Sequence, residues 1–295
     1  MTAIVEAAGL TKRFGKVTAV DDVSFSLEEG GIHGLLGRNG AGKTTLMQLL
    51  TGQDFASAGR ARIFGENPVE NAGAVGRTCF IKESQVYPDD FKGRHVLAVA
   101  PRFFPHWEAD LAARLVDAFQ VPLDRRIKKL SRGQRSAIGV VVGIASRAEL
   151  TLLDEPYAGL DAVARRRFYD LLLEDYAEHP RTILLSTHLI DEAAALLQRV
   201  LVIDKGRLVI DADAEDLRGS ATTLVGRAAD VDAFAARHEV LERTAIGAIA
   251  SVTLAGLSAE DKRAAASAGL EATAVSLQEL IVRRTGGAVT EEVSA

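Results

Sequence analysis

A single cysteine, Cys79, stands in a chain of 295 residues, so no intramolecular disulfide forms and no metal site is built from several thiolates. Long apolar runs are also missing. The longest, "AIGVVVGIAS", is about half the roughly 20 residues that a bilayer-spanning helix requires. No signal peptide precedes the first strand-like segment, and a soluble cytosolic chain is the expectation. Excess basic charge is absent: 35 Lys and Arg against 40 Asp and Glu give a formal net charge of -5, which argues against a dedicated nucleic-acid binder. The local clusters "DRRIKK" and Arg165 to Arg167 read as solvated faces. Internal repeats and low-complexity blocks are missing too. What remains is ordinary globular material, 47% hydrophobic and 25% charged, long enough for one large domain and one small one.

Three glycines fall within six residues in "GRNGAGKT", Gly37 to Thr44, which fits the P-loop pattern G-x-x-x-x-G-K-[ST]. The flanks suit it. "GIHGLL" before it reads as a buried strand, and "KTTLMQLLTG" after it reads as a helix capped by Gly52. Consecutive backbone N–H groups at a helix N-terminus form a concave anion site, so a polyphosphate is what comes close to this backbone. Gly37, Asn39, Gly40, Ala41, Gly42, Lys43, Thr44 and Thr45 are the expected cradle, with Lys43 reaching the β- and γ-phosphates and the Thr44 hydroxyl holding Mg²⁺.

Along the chain, "AIVEAAGLTKRF", "VSFSLEE" and "GRARIFG" alternate as strands of a small antiparallel sheet do. From about 89 to 145 the pattern turns helical, with Leu111, Leu115 and Phe119 on one stripe and Ile138, Val141, Val142 and Ala145 on another. Three short apolar strands follow, "LTLL", "TILLS" and "VLVID", separated by helices that start near Asp161 and His188, which predicts a mostly parallel sheet wrapped by helices. A composition shift near Arg218 to Thr222 divides a larger domain, 1–218, from a small α+β domain, 219–287. That domain has strand-like "ATTLVGRA" and "AIASVTLAG" and helical "VDAFAARHEV", "SAEDKRAAASAG" and "LQELIVRRTGG". The last eight residues, 288–295, read as a disordered tail.

"LTLLDEP" brings Asp154 and Glu155 out at the carboxyl end of a buried strand, where ligands bind in open α/β sheets. Asp154 is placed to orient Mg²⁺ through its water shell and Glu155 to aim a water at the γ-phosphate. In "LSRGQ", Ser131 and Gln134 make an S-x-x-Q capping box, and in "AGLD", Asp161 is a natural N-cap. "STH" ends a strand on His188. Each of these three has a purely structural reading when taken alone.

Their order changes that. P-loop, "LSRGQ", "LLDEP", "AGLD" and "STH" in succession resemble the ATP-binding subunit of ABC transporters over about 1–218. The resemblance implies a P-loop ATPase fold of ABC type: an α/β fold with an N-terminal antiparallel β subdomain, a helical insertion and here a C-terminal α+β domain. It implies ATP and Mg²⁺ as ligands, and two such domains closing head to tail over two nucleotides. Ser131, Gly133 and Gln134 then meet the γ-phosphate held by the other copy, and Asp161 touches that copy's P-loop region. His188 bonds the γ-phosphate, and Phe14 in "TKRFG" stacks on adenine. A second ATPase subunit, most simply another copy, and integral membrane permease subunits are the implied partners, with no nucleic acid. The place implied is the inner face of the cell membrane.

Two positions depart from that family's pattern. Its signature reads L-S-G-G-Q, whereas Arg132 stands here in place of the first glycine, either obstructing close approach or adding positive charge, and activity is expected to survive. The metal-sensing glutamine is replaced by Glu83 in "FIKESQVYP", with Gln85 two residues on as the alternative. A carboxylate there coordinates the metal yet repels the γ-phosphate. Related ATPases that act on DNA insert coiled-coil arms, and ribosome-associated ones carry two ATPase domains; neither feature is visible. The segment "SLQELIVRRTGG" resembles the ending of some drug- and antibiotic-export ATPase subunits, which gives a lean to export.

Overall fold

The computed structural model describes residues 3–284, and the tail expected over 288–295 lies outside the described residues. In chain order the elements are β1 (Ala3–Phe14), β2 (Val17–Glu28), β3 (Ile32–Leu36), α1 (Lys43–Leu50), β4 (Ala58–Ile63), α2 (Ala72–Gly76) and β5 (Thr78–Ile81). Next come α3 (Gly93–Val99), α4 (Ala109–Ala118), α5 (Arg132–Ala145), β6 (Leu150–Asp154), α6 (Ala162–Glu178), β7 (Thr182–Thr187), α7 (Ile190–Ala193), β8 (Arg199–Asp204) and β9 (Arg207–Asp213). The last are α8 (Ala214–Leu217), β10 (Ala221–Arg227), α9 (Ala228–Ala235), β11 (Val240–Ile246), β12 (Ile249–Ala255), α10 (Ala259–Ser267), β13 (Glu271–Ala274) and α11 (Leu277–Arg284). They gather into two compact units. One runs to His188 and includes Ala195–Asp211; the other takes Leu189–Ala194 and the residues from Ala212 onward.

In the first unit β1 lies between β2 and β4, antiparallel to both. Val23, Phe25 and Leu27 point inward while Ser24 and Ser26 face out, the period-two pattern that fixes the register. The second sheet runs β5-β6-β7-β3-β8-β9 and is parallel from β5 to β8. Its inner strands β3, β6 and β7 are buried on both faces, which is why they read as mostly apolar runs. Leu46, Met47 and Leu50 of α1 share one core with Leu10, Val20 and Leu27 of the antiparallel sheet and Leu35, Leu152, Leu184 and Leu201 of the parallel one. Leu36 stands level with Thr187 and Asp154 with Ser186, so β6, β7 and β3 end at one edge. That edge carries the site.

The second unit threads β10-α9-β11-β12-α10-β13 into an antiparallel sheet of order β11-β12-β10-β13, the split βαβ arrangement of ferredoxin-like domains. Leu224, Val252 and Leu254 of the sheet pack on Val231, Phe234 and Ala265 of the helices. Two strands differ from the sequence expectation. The helix read through Val240 stops at Ala235, and Val240–Ile246 pairs with β12 instead, because the non-local ladder outweighs a helical period that its charged residues barely carry. β13 is exposed at all four positions and had no apolar alternation to reveal it. The short β5 was likewise unmarked. Leu189–Ala194 belongs to this unit by its bonds: Asp191 accepts from Ser276 Oγ and from the backbone N–H of Gln278, each at 3.3 Å.

Candidate active site

The loop between β3 and α1 wraps the chain's own backbone before any ligand arrives. Gly42 caps α1 at φ 108, and a Cβ there would lie 2.3 Å from the Ala19 carbonyl oxygen. Any other residue is therefore excluded by the fold as well as by a phosphate. The same approach puts Val17, the partner of Phe14, only two residues along β2 from the loop. Phe14 is 51% exposed with Lys12 Nζ 4.8 Å from its ring centre, so it is a solvent-facing platform and not a core aromatic.

Lys43 is buried, and its ammonium is turned back onto the loop. It donates to the carbonyls of Gly37 at 2.6 Å and Arg38 at 3.3 Å, and lies 3.3 Å from Glu155 Oε1. Glu155 in turn hydrogen-bonds His188 Nδ1 through Oε2 at 2.8 Å. Its backbone sits at φ 45, a left-handed conformation that a non-glycine residue holds only when its surroundings enforce it, and its N–H donates to Ser186 O at 3.1 Å. Lys43, Glu155 and His188 thus form one charged chain across the ends of β3, β6 and β7.

Beside it, Thr44 Oγ1 donates to Asp154 Oδ2 at 2.6 Å. Asp154 is 1% exposed, and burial pushes its carboxyl above the usual carboxylate range, opposed by the Thr44 hydrogen bond. A hydroxyl and a buried carboxylate are the hard oxygen donors that Mg²⁺ takes when phosphates and water complete its shell. The donor set fits that ion and no ion needing more protein ligands, since no cluster of three or more His, Cys, Asp or Glu exists among the described residues.

The sign of the Asp154 shift has a consequence for stability. A carboxyl whose pKa is raised by folding favours the folded state most at low pH, and this contribution is lost as pH rises through the raised value. At neutral pH the buried charge is a cost, so Asp154→Asn is expected to leave the metal-free chain as stable as the parent or up to about 1 kcal/mol more stable. It should lose the MgATP-dependent rise in melting temperature, which at 100 times Kd corresponds to about 2.7 kcal/mol in the parent. Thermal scans with and without MgATP check both; a full shift in the variant would remove Asp154 from the metal site.

Ser131, Gly133, Gln134 and Asp161 form a second group. Ser131 Oγ accepts from the Gln134 N–H at 3.2 Å while Gln134 Oε1 accepts from the Ser131 N–H at 3.1 Å, the expected capping box of α5. Asp161 caps α6, accepting from the Ala164 N–H at 2.8 Å. Ser136 Oγ donates to Ala158 O at 2.6 Å, fastening α5 to the turn that leads into α6, a tie that no sequence motif signalled. The carboxylate of Glu83 accepts from the Arg132 guanidinium. Gln85 lies back on its own loop, its Oε1 3.5 Å from the Lys82 nitrogen.

A family profile described as ABC transporter matches residues 20–158. The doxorubicin resistance ATP-binding protein DrrA of Mycobacterium tuberculosis is 33% identical over 227 residues, 75% of this chain and 68% of that protein. The chain belongs to the ABC transporter family. It is an ABC transporter ATP-binding protein by these matches, in a family whose members bind and hydrolyse ATP. ABC transporter ced-7 of Caenorhabditis elegans is 33% identical over 212 residues, 71% of this chain but 12% of that protein. A solved structure titled "Structure of ATP binding subunit of ABC transporter" superposes with a TM-score of 0.62 at 23% identity, over 72% of this chain and 91% of that one; it shows the ABC cassette fold.

Proposed function

We propose that this chain is the ATP-hydrolysing subunit of an ABC exporter, closing as a dimer over two ATP molecules and driving separate permease subunits at the inner face of the cell membrane. The charged chain Lys43–Glu155–His188 beside Thr44–Asp154 carries the reading, because one edge of the sheet then holds a phosphate-binding cation, a base and a metal-binding pair. ATP lies along Gly37 to Thr45, with adenine on Phe14. Mg²⁺, held by Thr44 and Asp154, neutralises charge on the phosphates when bound. Glu155 orients and accepts a proton from the attacking water, and His188 holds Glu155 and the γ-phosphate. Lys43 leaves the Gly37 and Arg38 carbonyls for phosphate oxygens. Ser131, Gly133 and Gln134 of one copy complete the site of the other, with Asp161 against that copy's P-loop.

Export is supported by the name of DrrA and the "SLQELIVRRTGG" segment. No helix among the described residues is long and apolar enough to cross a membrane, and the reading includes a membrane-spanning partner. The face that suits it is an apolar cleft of about 440 Å³, lined by Val75, Phe91, Val96, Val99, Phe103 and Phe104, with Phe103 66% exposed. A short amphipathic helix from a permease loop is the occupant of matching size and polarity. In membranes of the native cell the tagged chain should bring down a polytopic permease, and Phe103→Glu should reduce that yield at least tenfold while the soluble chain still binds ATP. Equal recovery of the permease with the variant would rule out this cleft, and recovery of no polytopic protein with the parent would overturn the transport reading.

A further inference from the structure

The two departures from the family pattern, Arg132 and Glu83, touch each other. Arg132 opens α5 between Ser131 and Gly133, and its Nη2 donates to Oε1 of Glu83 in the loop after β5. Its stem lies over the turn ahead of α6: a Cβ built on Gly159 would meet Arg132 Cγ at 3.1 Å and Cβ at 3.3 Å. Alongside, Gly133 comes so near this turn that a Cβ on it would lie 2.2 Å from the Gly159 carbonyl oxygen. Arg132 therefore spans three segments: the loop after β5, the first turn of α5 and the turn leading to Asp161. A glycine in its place reaches none of them with a side chain.

We infer that Arg132 and Glu83 work as one positioning pair, in which Arg132 sets the first turn of α5 against the loop after β5 and Glu83 acts through Arg132, not as a ligand of Mg²⁺. The inference rests on the proposed ATPase reading, in which that first turn is what meets the other copy's nucleotide. Separately, neither side chain suits that place. A free carboxylate near a γ-phosphate repels it, and a free guanidinium beside Ser131 is a flexible group in the way of a close contact. Paired, the charges cancel and the arginine is held to one side. The side chains are 61% and 41% exposed, so salt screens the pair and its contribution to overall stability is small. Its effect lies in where it holds α5.

The test is steady-state turnover by the full chain, with its permease where turnover requires it, for Glu83→Ala, Arg132→Ala, the double variant and the charge exchange Glu83→Arg with Arg132→Glu. Each single change is expected to lower kcat about 5- to 10-fold, as loss of positioning does, while nucleotide affinity at the Lys43 cradle stays within about twofold. The double variant should be no slower than the slower single, because both remove the same contact. The charge exchange should regain at least half of the parent rate, and the Mg²⁺ concentration for half-maximal activity should not move in Glu83→Ala. Losses that multiply in the double variant, or a raised Mg²⁺ requirement confined to the Glu83 change, overturn the pair. Singles at the parent rate do so as well. A parent that hydrolyses no ATP fails the ATPase reading itself, before any variant is compared.

Discussion

Glu155→Gln is expected to bind MgATP about as tightly as the parent and to hydrolyse it 10²- to 10⁴-fold more slowly, the range a general base contributes. The geometry explains why binding survives. Glu155 sits at the end of β6 with its backbone fixed by the Ser186 carbonyl, and its φ of 45 belongs to that turn, not to the charge. Glutamine fills the same space and retains an oxygen for His188, 2.8 Å away in the parent. Lys43 loses an ion pair at 3.3 Å but keeps its own charge for the phosphate oxygens. What disappears is the group proposed to take the proton of the attacking water. With hydrolysis blocked and ATP still bound, the variant should also accumulate as a closed dimer, seen as a doubled mass by light scattering in MgATP and a single mass in MgADP. Phosphate release at the parent rate would show that some other group activates the water.

How far the sequence revealed this site depends on which link is asked about. The P-loop was legible because spacing alone puts a lysine and a hydroxyl after a glycine turn, and the strand end at Asp154–Glu155 because a buried parallel strand is an unbroken apolar run. That β6, β7 and β3 are neighbours was not legible, since the sheet order β5-β6-β7-β3-β8-β9 is a matter of long-range pairing. Only that order brings Glu155 within reach of both Lys43 and His188. The exposure of Phe14 was not legible, because one aromatic in an alternating strand fits either face. The contact of Glu83 with Arg132 was not legible, because the two lie 49 residues apart with no pattern linking them. In the second unit β11 was hidden for the same reason: Val240–Ile246 is a strand through its ladder with β12, not through its own residues.

Lys43→Ala tests the other half of the site, and its signature is the opposite of that for Glu155→Gln. The ammonium has partners in the Gly37 and Arg38 carbonyls and Glu155, so on the proposed reading ATP binding exchanges these for phosphate oxygens. The gain is the difference between the two sets. It is set by charge-assisted bonds worth about 1.5–3 kcal/mol each, so affinity for MgATP should fall roughly 10- to 150-fold, with ADP affected less because the γ-phosphate is absent. The fold should also weaken. Lys43 and Glu155 are both nearly covered, and removing the cation leaves the carboxylate with His188 as its remaining hydrogen-bonded side-chain neighbour, a loss of about 3–5 kcal/mol. Calorimetric titration with MgATP and thermal unfolding without ligand separate these effects. An alanine variant that is destabilised yet binds MgATP with parent affinity would make Lys43 a structural counter-ion of Glu155. In that case the phosphate cradle is made by the backbone of Gly37 to Thr44 alone, since the amides are untouched by the substitution and only the cation has gone.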